Sequence, residues 1–146
     1  MNNKIEQTFI DKGSWPDGPW KSEPDFVSWT DEKTGYNCVI LRQEITGHLC
    51  GYVCVSKGHP AYKKDILHDL DDIDIHGGLT YAESSLHTPL WIILNNDERW
   101  WLGFDCAHNR DHIPLHNKFE GQVYRNIEYV ISECESLAHQ LKKMKD

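Results

Sequence analysis

Gln122-Val123-Tyr124-Arg125-Asn126-Ile127-Glu128-Tyr129-Val130-Ile131-Ser132-Glu133-Cys134-Glu135-Ser136-Leu137-Ala138-His139-Gln140-Leu141 is the stretch where the hydrophobic pattern of this chain changes period. Val123, Ile127, Val130, Cys134, Leu137 and Leu141 recur at spacings of four and three, which places them on one stripe of an α-helix. Lys142, Lys143 and Lys145 follow, where the negative end of the helix dipole favours cations. The pattern predicts an amphipathic helix over 122–145. Upstream of it the apolar runs are of strand type. Tyr36–Gln43 and Leu49–Val55 are rich in β-formers and separated by Glu44-Ile45-Thr46-Gly47-His48, a linker that predicts a hairpin. Trp91–Leu94 and Trp100–Phe104 flank the turn-forming Asn95-Asn96-Asp97-Glu98-Arg99 and predict a second one. Asp72-Ile73-Asp74-Ile75-His76 alternates like a half-buried strand, Gly77-Gly78 breaks it, and Leu79-Thr80-Tyr81 resumes extended. The expected fold is α+β, an antiparallel sheet of about five or six strands packed against the long C-terminal helix.

The whole chain, 1–146, reads as a single domain, with its sheet in 36–106. Residues 1–35 differ in composition. Gly13, Trp15-Pro16-Asp17-Gly18-Pro19-Trp20 and Glu23-Pro24 oppose a long helix or a central strand. Trp15, Trp20, Phe26 and Trp29 are too apolar for a disordered tail. The expectation is an irregular aromatic and Pro-rich arm laid on the domain, a segment that can equally cover a ligand.

With 146 residues and 39% hydrophobic content the chain can bury a continuous core. It contains no run of eighteen apolar residues, so no membrane span is expected. Met1–Gln7 carries no apolar leader core, and five cysteines without a C-x-x-C pair suit reduced thiols in a cytoplasm. Cys50 and Cys54, four residues apart on one strand, lie about 13 Å apart, too far to share a metal. Fifteen basic against twenty-three acidic residues leave a charge of −8, which disfavours polymeric nucleic acid as a partner. The helical stripe could also pair two copies of the chain, although after a sheet such a stripe usually packs on the core.

Nine histidines and six tryptophans are the unusual content. Asp105-Cys106-Ala107-His108-Asn109-Arg110-Asp111-His112 directly follows a strong strand, where a strand fixes position and a loop lets side chains converge. Its carboxylates and imidazole at three-residue spacing suit ligation of zinc or a similar divalent metal, or a base oriented by a carboxylate. Asp74-Ile75-His76-Gly77-Gly78-Leu79-Thr80 puts a second histidine at a strand end, with two glycines that admit a ligand or offer amides to an anion. The candidate catalytic residues are therefore His76, His108 and Asp105. Candidate metal ligands are His76, Asp105, His108 and Asp111, and candidate ligand-binding residues are Gly77, Gly78, Thr80, Trp101 and Arg110. Trp100 and Trp101 must face opposite sides of their strand, so one is core and the other can stack on a planar ligand. Cys106 as a nucleophile is the weaker option, since it follows an apolar strand. Gly58-His59-Pro60 reads as a rigid turn with a surface histidine. The acidic run Asp65–Asp74 lacks the glycine and terminal glutamate of a calcium loop, and His68, His87, His112, His116 and His139 have no distinctive context.

Gly58-His59-Pro60, His76-Gly77-Gly78-Leu79-Thr80-Tyr81 and Trp100-Trp101-Leu102-Gly103-Phe104-Asp105-Cys106-Ala107-His108, with Asp111, Tyr124-Arg125 and Glu133–Ala138, resemble a family of small, mostly phage-encoded proteins that have no assigned role. The resemblance covers roughly 36–141 and brings no reaction with it. It implies a viral setting, in which small proteins of the host cytoplasm often counter defence. The functional expectation is a metal-assisted or His/Asp general-base hydrolase of a small phosphorylated or nucleotide substrate, with Arg99, Arg110 or Arg125 holding the phosphate. The alternatives are a protein that sequesters such a nucleotide without turnover, or an acidic inhibitor of a host DNA-binding defence enzyme. A purely structural virion part is also compatible with the sequence.

Overall fold

The change of period becomes one helix, α1 (Ile127–Lys145). The computed structural model of the chain describes residues 6–66, 69–87, 93–95 and 98–145. Among them six strands form one antiparallel sheet: β1 (Glu6–Thr8), β2 (Phe26–Thr30), β3 (Asn37–Arg42), β4 (Leu49–Ser56), β5 (Tyr81–Glu83) and β8 (Arg99–Asp105), in the order β1-β2-β3-β4-β8-β5. β6 (Ser85–His87) and β7 (Ile93–Asn95) pair in a separate two-stranded ribbon. The α+β arrangement is as the sequence predicts. No helix among the described residues is long and apolar enough to cross a membrane.

The two faces of the sheet separate by strand alternation. Along β4, Leu49, Val53 and Val55 face α1, while Cys50, Tyr52 and Cys54 face away. Val130, Cys134, Leu137, Ala138 and Leu141 of α1 are fully buried against Val27, Cys38, Ile40, Leu102 and Phe104. Val130, Leu137 and Leu141 each contribute about 1.5–3 kcal/mol by leaving water, so the helix is held by its stripe. The stripe is thereby covered by the sheet rather than presented to a second copy. Gly51 makes the contact close. A Cβ there would lie 2.5 Å from the Phe104 ring and 2.7 Å from Cys134 Sγ. The other face packs Phe26, Val39, Leu41, Trp101 and Leu86 of the ribbon.

Several expectations are corrected. The helix begins at Ile127, five residues after Gln122. Asn126 caps it, its Oδ1 accepting from Tyr129 N at 2.9 Å, as asparagine side chains do at this position. Val123 instead lies beside Asp111 in an isolated parallel bridge. The hairpin expected between Trp91–Leu94 and Trp100–Phe104 is not formed by the described strands. β7 pairs with β6, and both edges of β8 are occupied, by β4 and β5. Trp91, Ile92, Asn96, Asp97 and His68 lie outside the described residues. Asp72–His76 is not a strand. Its alternation arises because Ile73 and Ile75 pack on the core from a turn, while the backbone of Asp74 bonds the Gln140 side-chain amide at 2.8 and 2.7 Å.

The arm over 1–35 supplies β1 and β2, so it is part of the sheet and not only laid upon it. Pro19 opens a 3-10 turn, Pro19–Ser22, and Pro24 stands just ahead of β2, where a missing N–H costs no ladder bond. A buried ionic network ties this arm to the rest. Lys12 Nζ donates to Glu23 O at 2.8 Å and to Asp25 Oδ1 at 2.6 Å. Arg42 donates to Asp25, to Glu23 Oε1 and the Pro24 carbonyl at 3.2 Å, and to the Gly47 carbonyl and Tyr124 Oη at 2.9 Å. Glu23 Oε2 accepts from Ile127 N at 3.0 Å, so the arm also caps α1. Burial, only partly offset by Arg42, raises the Tyr124 phenol, which stays protonated.

Candidate functional site

β8 ends at Asp105, and the chain after it folds back in a tight turn, Asp111 N donating to His108 O at 2.9 Å. The turn is held at both sides. Cys106 N extends the ladder to Leu49 O at 3.0 Å, and Val123 N bonds Arg110 O at 2.9 Å. The Asp72–His76 segment arrives from the other side, with Gly78 N bonded to Ile75 O at 2.8 Å. Two loops from distant parts of the chain thus meet at the first turn of α1.

Asp111 is the centre of the cluster and is 1% exposed. Its Oδ2 accepts from His76 Nε2 at 2.8 Å and from His108 N at 3.0 Å, and its Oδ1 accepts from Arg125 Nε at 2.8 Å. Burial works to raise its pKa, but the bonds from His76, Arg125 and the His108 amide outweigh this and hold it below the usual carboxylate range. The carboxylate is therefore charged and can only accept, which puts the Nε2 proton on His76. On the other side of that ring, Nδ1 lies 2.7 Å from Tyr129 Oη. Asp111, His76 and Tyr129 form a carboxylate–imidazole–hydroxyl chain. Burial, reinforced by Glu133, raises the Tyr129 phenol, so it keeps its proton at neutral pH. Glu133 also accepts from His76 N at 2.9 Å. The Arg125 guanidinium carbon lies 5.3 Å from the centre of the Tyr129 ring, and the bond to Asp111 raises its pKa.

A second pair stands beside the first. His108 Nε2 is 3.3 Å from Asp105 Oδ1, and the His76 and His108 rings are 5.7 Å apart, inclined at 64°. Asp105 Oδ2 accepts from Thr80 Oγ1 at 3.0 Å, and Oδ1 accepts from Ala107 N at 3.1 Å. The sequence candidates His76, Asp105, His108, Asp111 and Thr80 do come together. The rest of the candidate set needs correction. Trp101 is 1% exposed within the core facing away from α1, since the strand parity that sends Leu102 toward the helix sends Trp101 to the opposite core. Trp100 is the half-buried member of the pair. Gly77 adopts φ +69°, and a Cβ on it would sit 2.1 Å from His108 Nε2, so the space left by its missing side chain is filled by the histidine. The Gly78 amide closes its own turn and is not offered to an anion. Arg110 is exposed, and its side chain has no hydrogen bond or ion pair among the described residues.

The metal set is also corrected. Among the described residues no group of three His, Cys, Asp or Glu side chains is arranged to hold a metal ion. Both ring nitrogens of His76 and both oxygens of Asp111 are engaged within the protein, so two of the four proposed donors are already taken. Cys106 is buried, and burial raises its thiol far above neutrality, which removes it as a nucleophile. His59 is not a surface residue. It is buried, with Nε2 2.7 Å from Leu141 O and Nδ1 accepting from Ala61 N at 2.9 Å, so it fastens the end of α1.

Sequence reasoning missed Tyr129, Glu133 and His48 as members of the site. Arg125, Tyr129 and Glu133 are spaced by four, which marks one side of a helix, and that spacing was the available signal. His48 had none: it reaches the site through the β3–β4 turn, where its Nδ1 lies 2.6 Å from Thr46 Oγ1. The chain matches no protein-family model, no curated protein and no solved structure.

Proposed function

We propose that the protein is a general acid–base hydrolase of a small phosphorylated substrate, a nucleotide being the chemistry that suits it best. The observation that carries this reading is the pair of imidazoles 5.7 Å apart, His76 hydrogen-bonded to Asp111 and His108 with Nε2 3.3 Å from Asp105. Two such groups can divide a hydrolysis, one taking a proton from water and one giving a proton to the leaving oxygen. His108, with Nε2 turned to Asp105, leaves Nδ1 to take the proton from water. On the other side Tyr129 donates its phenolic proton to the leaving oxygen. The phenolate then takes a proton from solvent and His108 returns to solvent the proton it took, while Asp111 stays a carboxylate throughout and, by holding His76 Nε2–H, leaves Nδ1 to position the Tyr129 hydroxyl. Arg125 uses Nε on Asp111, and its terminal nitrogens are free among the described residues to meet a phosphate oxygen. This offsets the acidity of the surroundings without a metal.

The alternative of a nucleotide-sequestering protein relied on Trp101 stacking and on the Gly77–Gly78 amides. The burial of Trp101 and the turn bond of Gly78 favour the catalytic reading over it. The resemblance to phage proteins makes a nucleotide signal of the host a natural substrate to try. The test is hydrolysis of a panel of nucleoside monophosphates, cyclic nucleotides and bis(p-nitrophenyl) phosphate. His76→Ala and His108→Ala should each lower kcat by about 10²–10⁴, and Tyr129→Phe should lower it with less effect on KM. A double histidine variant that still turns over substrate, or a wild-type protein inert toward the whole panel, overturns the reading.

A further inference from the structure

Beside the acid–base cluster, on the sheet face turned away from α1, lies a groove of about 510 Å³. Ile45, Thr46 and His48 of the β3–β4 turn form one wall, Thr80 and Tyr81 the other, and Tyr52 and Asp105 the floor. The volume falls within the roughly 300–1,000 Å³ typical of small-molecule sites. Three properties narrow what it can hold.

The first is charge. Asp105 is the charged residue of the lining, and among the described residues no lysine or arginine borders the groove. A phosphate seated here would meet a carboxylate and no cation, so the groove suits a group without negative charge. His48 does not reverse this, because burial, with His108 and His116 acting in the same sense, holds its pKa below the usual 6.5 despite Asp105 and Asp111. The second property is the capacity of Asp105. Among the described residues its Oδ2 accepts from Thr80 Oγ1 alone, which leaves a lone pair for an N–H donor of the ligand. The third is shape and surface. The rings of Tyr52 and Tyr81 meet edge to face at 5.2 Å, and Ile45 is 89% exposed at the rim. Aromatic and aliphatic walls around one acceptor favour a flat ring with an amino substituent.

We infer that the groove seats a nucleobase bearing an exocyclic amino group, whose N–H is accepted by Asp105. This deepens the hydrolase reading and rests on it in one respect, that the base is the non-reacting end of the substrate. Asp105 joins the two halves, since its Oδ2 faces the groove residue Thr80 and its Oδ1 lies 3.3 Å from His108 Nε2. A base held at Asp105 would place the rest of a nucleotide toward His108 and the Arg125 side of the cluster.

Nucleosides test the groove without chemistry, because they contain no phosphoester. Cytidine against uridine and adenosine against inosine are matched pairs that differ in an amino group replaced by a carbonyl. Binding would be followed by saturation-transfer NMR and isothermal titration on the full chain. Cytidine and adenosine should bind at least tenfold more tightly than their partners. In Asp105→Asn, which offers one donor and one acceptor in place of a carboxylate, the preference should shrink to within about twofold. Thr80→Val, which removes the hydroxyl that orients Asp105, should weaken the amino-bearing nucleosides while leaving the weak binding of uridine unchanged. Equal binding within each pair, or no binding of any nucleoside at millimolar concentration, overturns the inference. Base preference without phosphoester turnover would refute the hydrolase reading alone. Turnover without base preference would refute the groove assignment alone.

Discussion

Replacing Arg42 by methionine tests how the N-terminal arm is held. Arg42 is 3% exposed, and its guanidinium makes five hydrogen bonds, to Asp25, Glu23, the Pro24 and Gly47 carbonyls and Tyr124. Those five use every N–H that an arginine has. With Lys12 opposite, the network contains two cations and two carboxylates and is neutral as built. Methionine fills much of the same volume, so the change creates little cavity, but it leaves one buried negative charge uncompensated. Removing one partner of a buried ion pair costs about 3–5 kcal/mol. At the unfolding entropy usual for a chain of this size, that is a fall in Tm of roughly 10–16 °C. Thermal melts followed by far-UV circular dichroism would measure it. Hydrogen exchange should also speed up at the first turn of α1, because Glu23, which caps Ile127, keeps the Tyr124 hydroxyl but loses the guanidinium that orients it. Arg42→Lys keeps the charge without the fork geometry and should lie between the two. A methionine variant within about 3 °C of the parent, equivalent to roughly 1 kcal/mol, would refute the view that this network fastens the arm.

Gly77→Ala should destabilise by about 1–3 kcal/mol through its left-handed backbone. It should also displace His108, seen as a shifted His108 ring signal by NMR, since the new Cβ would occupy the place of Nε2. His59→Ala should cost about 2–4 kcal/mol by orphaning the Leu141 carbonyl and the Ala61 amide, and an unchanged urea midpoint would contradict that role. Stability should depend on pH in two stages. Burial is the main cause that holds His48 and His59 below the usual 6.5, so the unfolded chain binds more protons in that range. Their contribution is complete above about pH 6.5 and declines as the pH falls below it. Asp111, also held low, adds a further loss as the pH falls below about 3.8. Urea denaturation should therefore show a midpoint that is level from pH 8 to about 6.5, falls below that and falls again below about pH 3.8, and a flat profile from about pH 6.5 to 5 would contradict the assignment.

The pattern that was legible in the sequence is the pattern made by neighbours along the chain. The stripe from Val130 to Leu141 declares a helix because residues three and four apart share one side of it, whatever it packs against. The β3–β4 hairpin is legible for the same reason, its strands being joined by a short turn. The periodic stripe carried the predicted helix past its true cap, Asn126, to Val123 because an apolar spacing carries no information about backbone bonds. The candidate site was partly legible too. His76, Asp105, His108 and Asp111 stand in two short motifs at the ends of extended segments, where strand ends gather functional groups.

The sequence by itself determined an α+β chain with an amphipathic C-terminal helix, and it nominated the residues of one cluster. Only the tertiary structure decided what each of them does. Strand order is set by which edges are left open, so β8 took β4 and β5 as partners instead of its neighbour in the chain. Side-chain parity then sent Trp101 into the core and Asp105 to the groove. The His76 and Asp111 atoms that a metal would have used were taken by internal hydrogen bonds, and Tyr129, Glu133 and His48 joined the site from segments far away in sequence. These outcomes depend on burial and on contacts between residues tens of positions apart, which no local pattern encodes.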